Sequence, residues 1–417
     1  MNVDLTRFRQ PCACGHTHKI TAKTVVIESG AIQKLPQVVK ECGLEGKKPC
    51  IVCDENTYEA AGKQVCQVLP VHNLVVLKAE GLHPDEKAID GINAGYQDSD
   101  YVLSVGSGTL NDLGKYVANE HKVPTLSVAT AASMDGFVST VAAMTLNNFK
   151  VTKICPAPIA VVADTDVFSK APYRLTASGI GDIIGKYTAL SDWRISHEIW
   201  GEYLCENIFN IEYSAVVKVA ENIDNIRAGK KEAYEDLMYA LVLSGLAMQM
   251  MGNSRPASGS EHHLSHFWEL NILNKTHNGL HGEMVGVGLA CVTKVYKDFM
   301  AKTPDPVPVI HPYKGMDHEA LKKVLGFMYE DAIKESTPDD MLNVTPEKVI
   351  AAWPKIQEIV GKMPSHEEIL DMLHRAGAPS TMEEVGVDSK LLPDYLRFSP
   401  FIRGRITLVR LIDLMFS

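Results

Sequence analysis

The first 130 residues carry short apolar segments separated by longer amphipathic ones. Apolar runs over residues 23–29, 49–53, 73–78, 101–105 and 124–129 have the length and composition of buried strands. Helical patterns lie between them, such as Ala31 to Cys42 and Asn111 to Glu120. Strands that alternate with helices predict a parallel, doubly wound sheet.

The pattern changes near residue 170, where strand signals fade and helical periodicity takes over. We predict helices over residues 179–197, 211–228, 231–251, 258–271, 281–299, 318–336 and 346–361, with a proline-rich loop at 303–312. The expected fold is an α/β Rossmann-like nucleotide-binding domain over residues 1–170. It is followed by an all-α domain over residues 171–417.

Composition narrows the class of protein. A length of 417 residues implies two or three domains. A net charge of −10 argues against nucleic acid and anionic membranes as partners. The longest apolar run, Tyr239 to Met251, is shorter than the ~20 residues of a membrane span, and no apolar signal-peptide stretch opens the chain. Nine cysteines, several of them inside apolar runs, indicate reduced thiols and a cytoplasmic protein.

A glycine-containing turn, Gly106-Ser-Gly-Thr-Leu-Asn-Asp112, follows a predicted strand and opens a helix. Such a turn lets the backbone approach a pyrophosphate, which the free N–H groups of the helix start then bind. The third glycine of a dinucleotide fingerprint is absent, so an ordinary strand-to-helix turn stays open as an alternative. Asp54, at the end of a neighbouring strand, is either a ribose-binding acid or a turn residue. The segment from Thr130 to Ser139 follows the next strand at the edge where ligands bind.

An aspartate and two histidines in recognisable settings form the strongest candidate site. Asp182 lies in Gly179-Ile-Gly-Asp182, His262 in Ser258-Gly-Ser-Glu-His262, and His281 in His281-Gly-Glu283. One carboxylate and two imidazoles suit a divalent metal and leave a position open for substrate. His266, four residues after His262, shares its helical face and is a ligand candidate by spacing. Buried core histidines are an equally good interpretation of the cluster alone.

Two cysteine motifs are weaker candidates for chemistry. The segment from Cys12 to His18 offers ligand types, but its spacing is not one that commonly closes a zinc site, and a mobile N-terminal segment is favoured. Cys50 and Cys53 lie three apart in a predicted strand, so their side chains point to opposite faces and suggest core packing.

These motifs together resemble the superfamily of glycerol dehydrogenases, iron-dependent alcohol dehydrogenases and 3-dehydroquinate synthases. Within it, the combination of Ser133-Met-Asp-Gly136 and Ser258-Gly-Ser-Glu-His262 is similar to the sn-glycerol-1-phosphate dehydrogenase branch, bacterial members in particular. The resemblance covers the chain from about residue 20 to its end. It implies a dehydroquinate synthase-like fold, with NAD(H) or NADP(H) as cofactor and one zinc or nickel ion per subunit.

The resemblance also implies residue roles. Asp182, His262 and His281 would be the metal ligands, and Asp135, Asp182 and His266 would contact the substrate, with Asp182 and His266 taking part in catalysis. The residues expected to line the dinucleotide are Asp54, Gly106, Ser107, Gly108, Thr109, Leu110, Thr130, Ala131, Ala132, Ser133 and Ser139.

The reaction implied is hydride transfer between a nicotinamide and a small phosphorylated triose or polyol, which belongs to phospholipid metabolism. We expect a homodimer. A glycerol dehydrogenase would have the same ligands without a phosphate pocket. A 3-dehydroquinate synthase, a lyase, has a glutamate where this chain has Asp182, which disfavours it. A non-catalytic NAD-binding regulator is disfavoured by the intact ligand triad.

Overall fold

A computed structural model of the protein describes residues 3–147, 149–274 and 276–416. The strands of this structure are β1 (Thr24–Glu28), β2 (Pro49–Asp54), β3 (Asn73–Leu77), β4 (Tyr101–Gly106), β5 (Thr125–Ala129), β6 (Val141–Leu146), β7 (Phe149–Ile154) and β8 (Ala160–Asp164). Among the described residues, six strands form a parallel sheet in the order β1-β8-β5-β4-β2-β3, and β6 pairs with β7 in an antiparallel hairpin.

The parallel sheet confirms the five predicted strands and adds one that the sequence pattern does not reveal. Strand β8 lies between β1 and β5, in the segment where the strand signals fade. Side chains on both faces of the sheet are buried: Ile51 and Leu103 pack in one cluster, and Val52 and Val102 in another. Helices therefore cover both faces, which explains why the strands are continuous apolar runs rather than alternating ones.

Cys50 and Cys53 pack on opposite faces of β2, as predicted, and both are fully buried. Burial raises the pKa of the Cys50 thiol to about 11 and that of Cys53 to about 12. A thiol that stays protonated is a poor nucleophile and a poor metal ligand. These two cysteines are thus core residues.

The structure contains the predicted helices, apart from the one over residues 318–336, and further helices that the sequence pattern does not predict. They are α1 (Leu35–Glu41), α2 (Glu55–Thr57), α3 (Lys63–Val68), α4 (Glu86–Gly95), α5 (Gly108–His121), α6 (Thr165–Phe168), α7 (Tyr173–Trp200), α8 (Glu206–Arg227), α9 (Lys231–Met251), α10 (Ser260–Glu269), α11 (His281–Lys302), α12 (His318–Leu325), α13 (Tyr329–Glu335), α14 (Pro346–Lys362), α15 (His366–Ala376), α16 (Leu392–Phe398) and α17 (Leu408–Met415).

One predicted helix, over residues 318–336, is wrong as a single element. Helix α12 ends at Leu325, and Gly326 follows with a positive φ of 54°. That conformation is left-handed and favours glycine, so the helical path stops there. A short 3₁₀ turn then leads into α13.

The chain divides into two compact units. One comprises residues 1–183 and 221–253, with the parallel sheet at its centre; the other comprises residues 184–220 and 254–417. The second unit has a helical core rich in aromatic side chains, including Trp268, Tyr296 and Trp353. The domain limits 1–170 and 171–417 stay a prediction. Within the described part of the chain, no helix combines the length and apolarity needed to cross a bilayer.

Candidate active site

Asp182 lies in helix α7, where the helix runs against the loop that follows β5. A Cβ atom on Gly179 would sit 2.1 Å from the Ala132 carbonyl oxygen, so only glycine permits this close approach. One turn later the fully buried Asp182 carboxylate accepts a hydrogen bond of 3.0 Å from the Asp135 backbone N–H. The carboxylate is therefore fixed in position by the backbone of the neighbouring loop.

His262 lies in the first turn of α10 and is oriented by the residue before it. Its Nδ1 is 2.7 Å from Oε1 of Glu261, which is fully buried. Glu261 in turn accepts hydrogen bonds from Thr188 Oγ1 (2.5 Å) and the Gly259 N–H (2.8 Å). Burial raises the pKa of Glu261, and these donors oppose the rise by stabilising the carboxylate. Because Nδ1 faces Glu261, a metal would bind at Nε2 of His262.

His281 is the first residue of α11 and has a similar arrangement. Its Nδ1 is 3.0 Å from Oε1 of Glu269, at the end of α10. Each histidine of the predicted triad thus has a carboxylate partner on its Nδ1 nitrogen. A carboxylate in this place fixes the tautomer and orientation of a metal-binding imidazole and increases its basicity.

The predicted triad comes together in the structure. Asp182, His262 and His281 each offer one ligand atom, and these atoms lie within 4.8 Å of one another. Two imidazole nitrogens and a carboxylate oxygen, with the imidazoles oriented by second carboxylates, have the chemistry of a catalytic zinc-type site. These residues fit a divalent ion, and a set of three protein ligands leaves a position for a fourth group.

Glycines set the spacing of the helices around His262 and His281. A Cβ atom on Gly288 in α11 would lie 2.6 Å from the Glu261 carbonyl oxygen, and one on Gly185 in α7 would lie 2.4 Å from the Val285 side chain. Backbone cannot yield at the first contact, so any side chain at position 288 would push α11 away from α10. The contact lies next to His262 and two turns beyond His281.

His266 packs against both histidines of the triad. Its ring centroid is 5.6 Å from that of His262 and 5.5 Å from that of His281. Burial lowers the pKa of His266 well below its usual value; the Glu269 carboxylate opposes this, and the positive charges of His281 and Arg403 add to it. A neutral imidazole has one donor and one acceptor nitrogen, which suits a group that handles a proton.

Asp135, expected to contact the substrate, is held at both its backbone and its side chain. The backbone N–H donates to Asp182, and Oδ2 accepts a hydrogen bond of 2.8 Å from Ser244 Oγ in helix α9. A Cβ atom on Gly245 would lie 3.1 Å from the Asp135 carbonyl oxygen. Helix α9 therefore packs closely on this loop and orients the carboxylate.

The two predicted dinucleotide loops are neighbours. Gly106 at the end of β4 pairs with Ala129 at the end of β5, and the Thr130 N–H donates to the Gly106 carbonyl (3.1 Å). Ser107 Oγ and Ser133 Oγ are 2.7 Å apart, which links the loops. On the second loop, Ala131 and Ala132 directly precede Ser133, and both are buried. The register of the sheet thus brings both loops to one edge.

The two glycines of the first loop have different surroundings. A Cβ atom on Gly106 would meet the Leu110 side chain at 2.4 Å, so this glycine is required by packing. A Cβ atom on Gly108, the first residue of α5, would meet only Met134 Cγ, at an ordinary 3.6 Å. The N–H groups of the first helical turn, which includes Thr109 and Leu110, have no partners within the helix and can bind an anion.

Asp54 and Ser139 have structural partners of their own. Asp54 caps α2, with its side chain accepting from the Thr57 N–H (2.7 Å). Ser139 Oγ accepts a hydrogen bond of 3.1 Å from the buried Lys115 Nζ, which also forms an ion pair of 2.8 Å with Asp112. Neither contact needs a nucleotide, so the cofactor roles of Asp54 and Ser139 stay predictions.

Several side chains around the site are not identified by sequence reasoning. Glu261 stands inside a quoted motif, and Glu269 lies one turn beyond His266, so their positions near histidines are the only sequence signal. Ser244 lies in an apolar helix and carries no signal. Burial lowers the pKa of His263 well below its usual value, and the positive charges of Arg405, Arg255 and Arg403 add to this effect. A cationic group of side chains therefore adjoins helix α10.

Comparison with known proteins agrees with this geometry. The family described as iron-containing alcohol dehydrogenase matches residues 26–172. The chain is 37% identical to a glycerol-1-phosphate dehydrogenase [NAD(P)+] of Halalkalibacterium halodurans over 302 residues, covering 70% of this chain and 75% of the relative. It is 30% identical to one of Geobacillus thermodenitrificans, covering 97% and 96%.

A solved structure extends the comparison to the fold. Sulfoacetaldehyde reductase from Bifidobacterium kashiwanohense, in complex with NAD+, superposes with a TM-score of 0.63 at 15% sequence identity, covering 96% of this chain and 97% of that one. At this level of identity the likeness concerns the fold. It confirms the sheet domain followed by helices that the sequence pattern predicts.

Proposed function

Because the chain belongs to the glycerol-1-phosphate dehydrogenase family, we propose that it interconverts dihydroxyacetone phosphate and sn-glycerol 1-phosphate, using NAD(H) or NADP(H). The observation that carries the proposal is the ligand triad, in which both imidazoles are oriented by carboxylates. Carboxylates that accept from the second ring nitrogen are a common feature of metal-binding histidines.

Asp182, His262 and His281 would hold one divalent ion, zinc or nickel, since nitrogen and oxygen donors of this kind suit both. The ion would supply polarisation of the ketone oxygen and stabilisation of the alkoxide charge, and the nicotinamide would supply the hydride. The protein itself contributes position. Asp182 is fixed by the Asp135 N–H, and the two histidines by Glu261 and Glu269.

The dinucleotide would bind at the two linked loops. We assign it to Asp54, Gly106, Ser107, Gly108, Thr109, Leu110, Thr130, Ala131, Ala132, Ser133 and Ser139. The support is the shared edge of β4 and β5 and the helix start at Gly108, where an added Cβ atom would meet only Met134 Cγ at 3.6 Å. Backbone N–H groups at a helix N-terminus bind a pyrophosphate through both hydrogen bonds and the helix dipole.

Asp135, Asp182 and His266 would contact the substrate. The Asp135 carboxylate, which accepts a hydrogen bond from Ser244, has the acceptor chemistry that a substrate hydroxyl needs. His266, which stacks on His281 and meets His262 edge-on, would pass a proton between the substrate oxygen and solvent. Proton transfer by a positioned group is worth about 10²–10⁴-fold in rate.

A phosphate on the substrate needs cationic donors, because the protein is acidic overall. We assign this role to Arg403. Its positive charge acts on both His263 and His266, which lie in helix α10, and its side chain is 25% exposed.

The deciding experiment compares two ketones. We expect a far higher kcat/KM for dihydroxyacetone phosphate than for dihydroxyacetone, with NADH or NADPH oxidation followed by absorbance on protein of known metal content. Binding energy from the phosphate, which is remote from the reacting carbon, can be used to orient the ketone. Equal or better turnover of dihydroxyacetone would favour a glycerol dehydrogenase, and no turnover of either would contradict both.

We further expect a cytoplasmic homodimer that serves phospholipid biosynthesis, with domains at residues 1–170 and 171–417. Light scattering of the purified protein tests the homodimer, and limited proteolysis around residue 170 tests the domain limits. A monomeric mass, or cleavage elsewhere only, would contradict them.

A further inference from the structure

The N-terminal segment forms a tight turn that presents two cysteines. Pro11 and Thr17 form an antiparallel bridge. Inside it, the Cys12 N–H donates to the His16 carbonyl, and the Gly15 N–H donates to the Cys12 carbonyl, both at 3.0 Å. Gly15 has a φ of +85°, which favours glycine. The backbone of this turn is thus closed by its own hydrogen bonds and holds Cys12 and Cys14 at its tip.

His18, just after the turn, is oriented as a metal-binding histidine would be. Its ring is buried, with 7% of the residue exposed. Nδ1 lies 2.9 Å from the Met250 carbonyl oxygen, which accepts a hydrogen bond and so requires a proton on that nitrogen. The other nitrogen, Nε2, lies 3.4 Å from Cys14 Sγ. A backbone carbonyl on Nδ1 is a common second partner of a histidine that binds metal through Nε2.

Cys205 supplies a fourth group. It is fully buried and immediately precedes helix α8, and its carbonyl accepts from the Phe209 N–H (2.9 Å). The start of a 22-residue helix favours a negatively charged sulfur. Cys12, Cys14, His18 and Cys205 each offer one ligand atom, and these four atoms lie within 4.8 Å of one another.

We propose that Cys12, Cys14, His18 and Cys205 bind one Zn(II) ion as a closed structural site, separate from the ion of the active site. Three thiolates and one imidazole are a known structural set for zinc. With Zn–S bonds of about 2.3 Å, tetrahedral geometry puts the donor atoms about 3.8 Å apart, so the observed cluster needs to contract by only about 1 Å. This inference does not depend on the proposed reaction.

Four protein ligands leave no position for a substrate, so the ion would act on stability. Three of the ligands lie within seven residues, and the fourth is distant in sequence. The ion would therefore hold the N-terminal turn in its folded conformation. Because the ligands must lose protons to bind zinc, its affinity should fall as the pH is lowered.

The test uses Co(II) as a probe, on full-length reduced protein from which metal has been removed. Thiolate ligands give Co(II) an intense near-ultraviolet charge-transfer absorption, which an aspartate–histidine site lacks. We expect this absorption in the wild-type protein and in His281→Ala, and its loss in Cys14→Ser and Cys205→Ser. Cys66→Ser is the matched control, since Cys66 is a half-buried cysteine outside the cluster.

The result for His281→Ala separates this site from the active site. Elemental analysis should give two zinc ions per chain for wild type grown with zinc, and one for either His281→Ala or Cys14→Ser. Absence of the charge-transfer absorption in wild type, or its persistence in Cys14→Ser, would overturn the proposal. So would a disulfide among Cys12, Cys14 and Cys205 in protein purified without added oxidant.

A second measurement guards against variants that do not fold. In the zinc-loaded wild-type protein, alkylation of Cys12 and Cys14 should be slow, and a strong chelator should accelerate it at least about tenfold, while Cys66 reacts at an unchanged rate. Equal rates with and without chelator, in protein shown to contain zinc, would contradict the assignment.

Discussion

The chain gathers side chains that could hold a metal in two places, and the two clusters differ in the number and type of their donor atoms. The triad of Asp182, His262 and His281 offers oxygen and nitrogen donors and, with three ligands, would leave a coordination position open. The N-terminal cluster combines sulfur and nitrogen donors and is complete with four. Ligand number and softness, rather than the presence of histidine, tell the two uses apart.

The two clusters are also built by different means. The triad comes from three helices, α7, α10 and α11, and its imidazoles are held by carboxylate side chains. The N-terminal cluster comes mostly from a single turn, and its imidazole is held by a backbone carbonyl. Helices give the rigid placement that a reacting substrate needs. A turn needs only to bring its own ligands together, and the metal then stabilises it.

The most direct test of the difference between the two clusters is to remove a proposed ligand of the triad. We expect His281→Ala to lower kcat by more than about 10³-fold, because the metal provides several kcal/mol of charge stabilisation. Titration of NADH fluorescence should give a nearly unchanged Kd. His311→Ala, an exposed histidine in the same helical region, is the control and should keep full activity. Turnover near wild type in a metal-free His281→Ala protein would remove the triad from catalysis.

A subtler change tests whether the carboxylates that orient the imidazoles matter. Glu269→Gln keeps all three ligands but replaces the carboxylate on His281 Nδ1 by a neutral amide. We expect metal affinity to fall by about 10–100-fold, the usual effect of losing such a partner. Competition with a fluorescent chelator measures it, with the exposed Glu367→Gln as control. Unchanged affinity would mean that the Glu269 carboxylate on His281 Nδ1 does not affect how tightly the triad holds a metal.

A third experiment tests whether dinucleotide binding can be weakened without affecting the metal site. Gly108→Val should weaken dinucleotide binding by at least about tenfold, or about 1.4 kcal/mol, by filling the space above the helix start. Metal content should not change. Since a Cβ at position 108 meets only Met134 Cγ at 3.6 Å, the fold should tolerate the substitution.

Gly106→Ala is the matched contrast for that experiment. Its Cβ would lie 2.4 Å from the Leu110 side chain, so it should reduce the free energy of unfolding. An unchanged NADH dissociation constant for Gly108→Val would make position 108 an ordinary turn glycine.

The smallest expected effect concerns the substrate phosphate. Arg403→Gln should lower kcat/KM for dihydroxyacetone phosphate by about tenfold, the loss of one charge-assisted contact, and leave the value for dihydroxyacetone nearly unchanged. Arg397→Gln, which removes an exposed arginine paired with Asp317 at 3.3 Å, is the control. An equal loss for both ketones would assign Arg403 a structural role.

The fold was predictable where local pattern decides structure. Strands β1 to β5 are continuous apolar runs and were recognised as such. Strand β8, Ala160–Asp164, was not, because a short run rich in alanine and close to prolines has little strand signal of its own. It is a strand because β1 and β5 flank it on both sides. Tertiary context of that kind is invisible in a single sequence.

The candidate site can likewise be predicted from the sequence only where its residues stand in local motifs. Asp182, His262 and His281 stand in local motifs, and one ligand atom of each lies within 4.8 Å of the others; that they bind a metal stays a prediction. The partners of the imidazoles depend on how α10 packs beside α11, so Glu269 could not be assigned to His281 from spacing. Cys205 lies far along the chain from His18, and no local spacing rule connects them.

Gly288 shows how a residue that is not a proposed ligand can affect which ion a site selects. Its missing side chain is what lets the α11 backbone rest against the Glu261 carbonyl beside His262. The distance between the His262 and His281 imidazoles is thus set in part by an absent methyl group, two helical turns beyond His281. An ion bound by these imidazoles would have to suit that distance in radius and coordination geometry. Metal preference would then depend on helix spacing as well as on the identity of the donors.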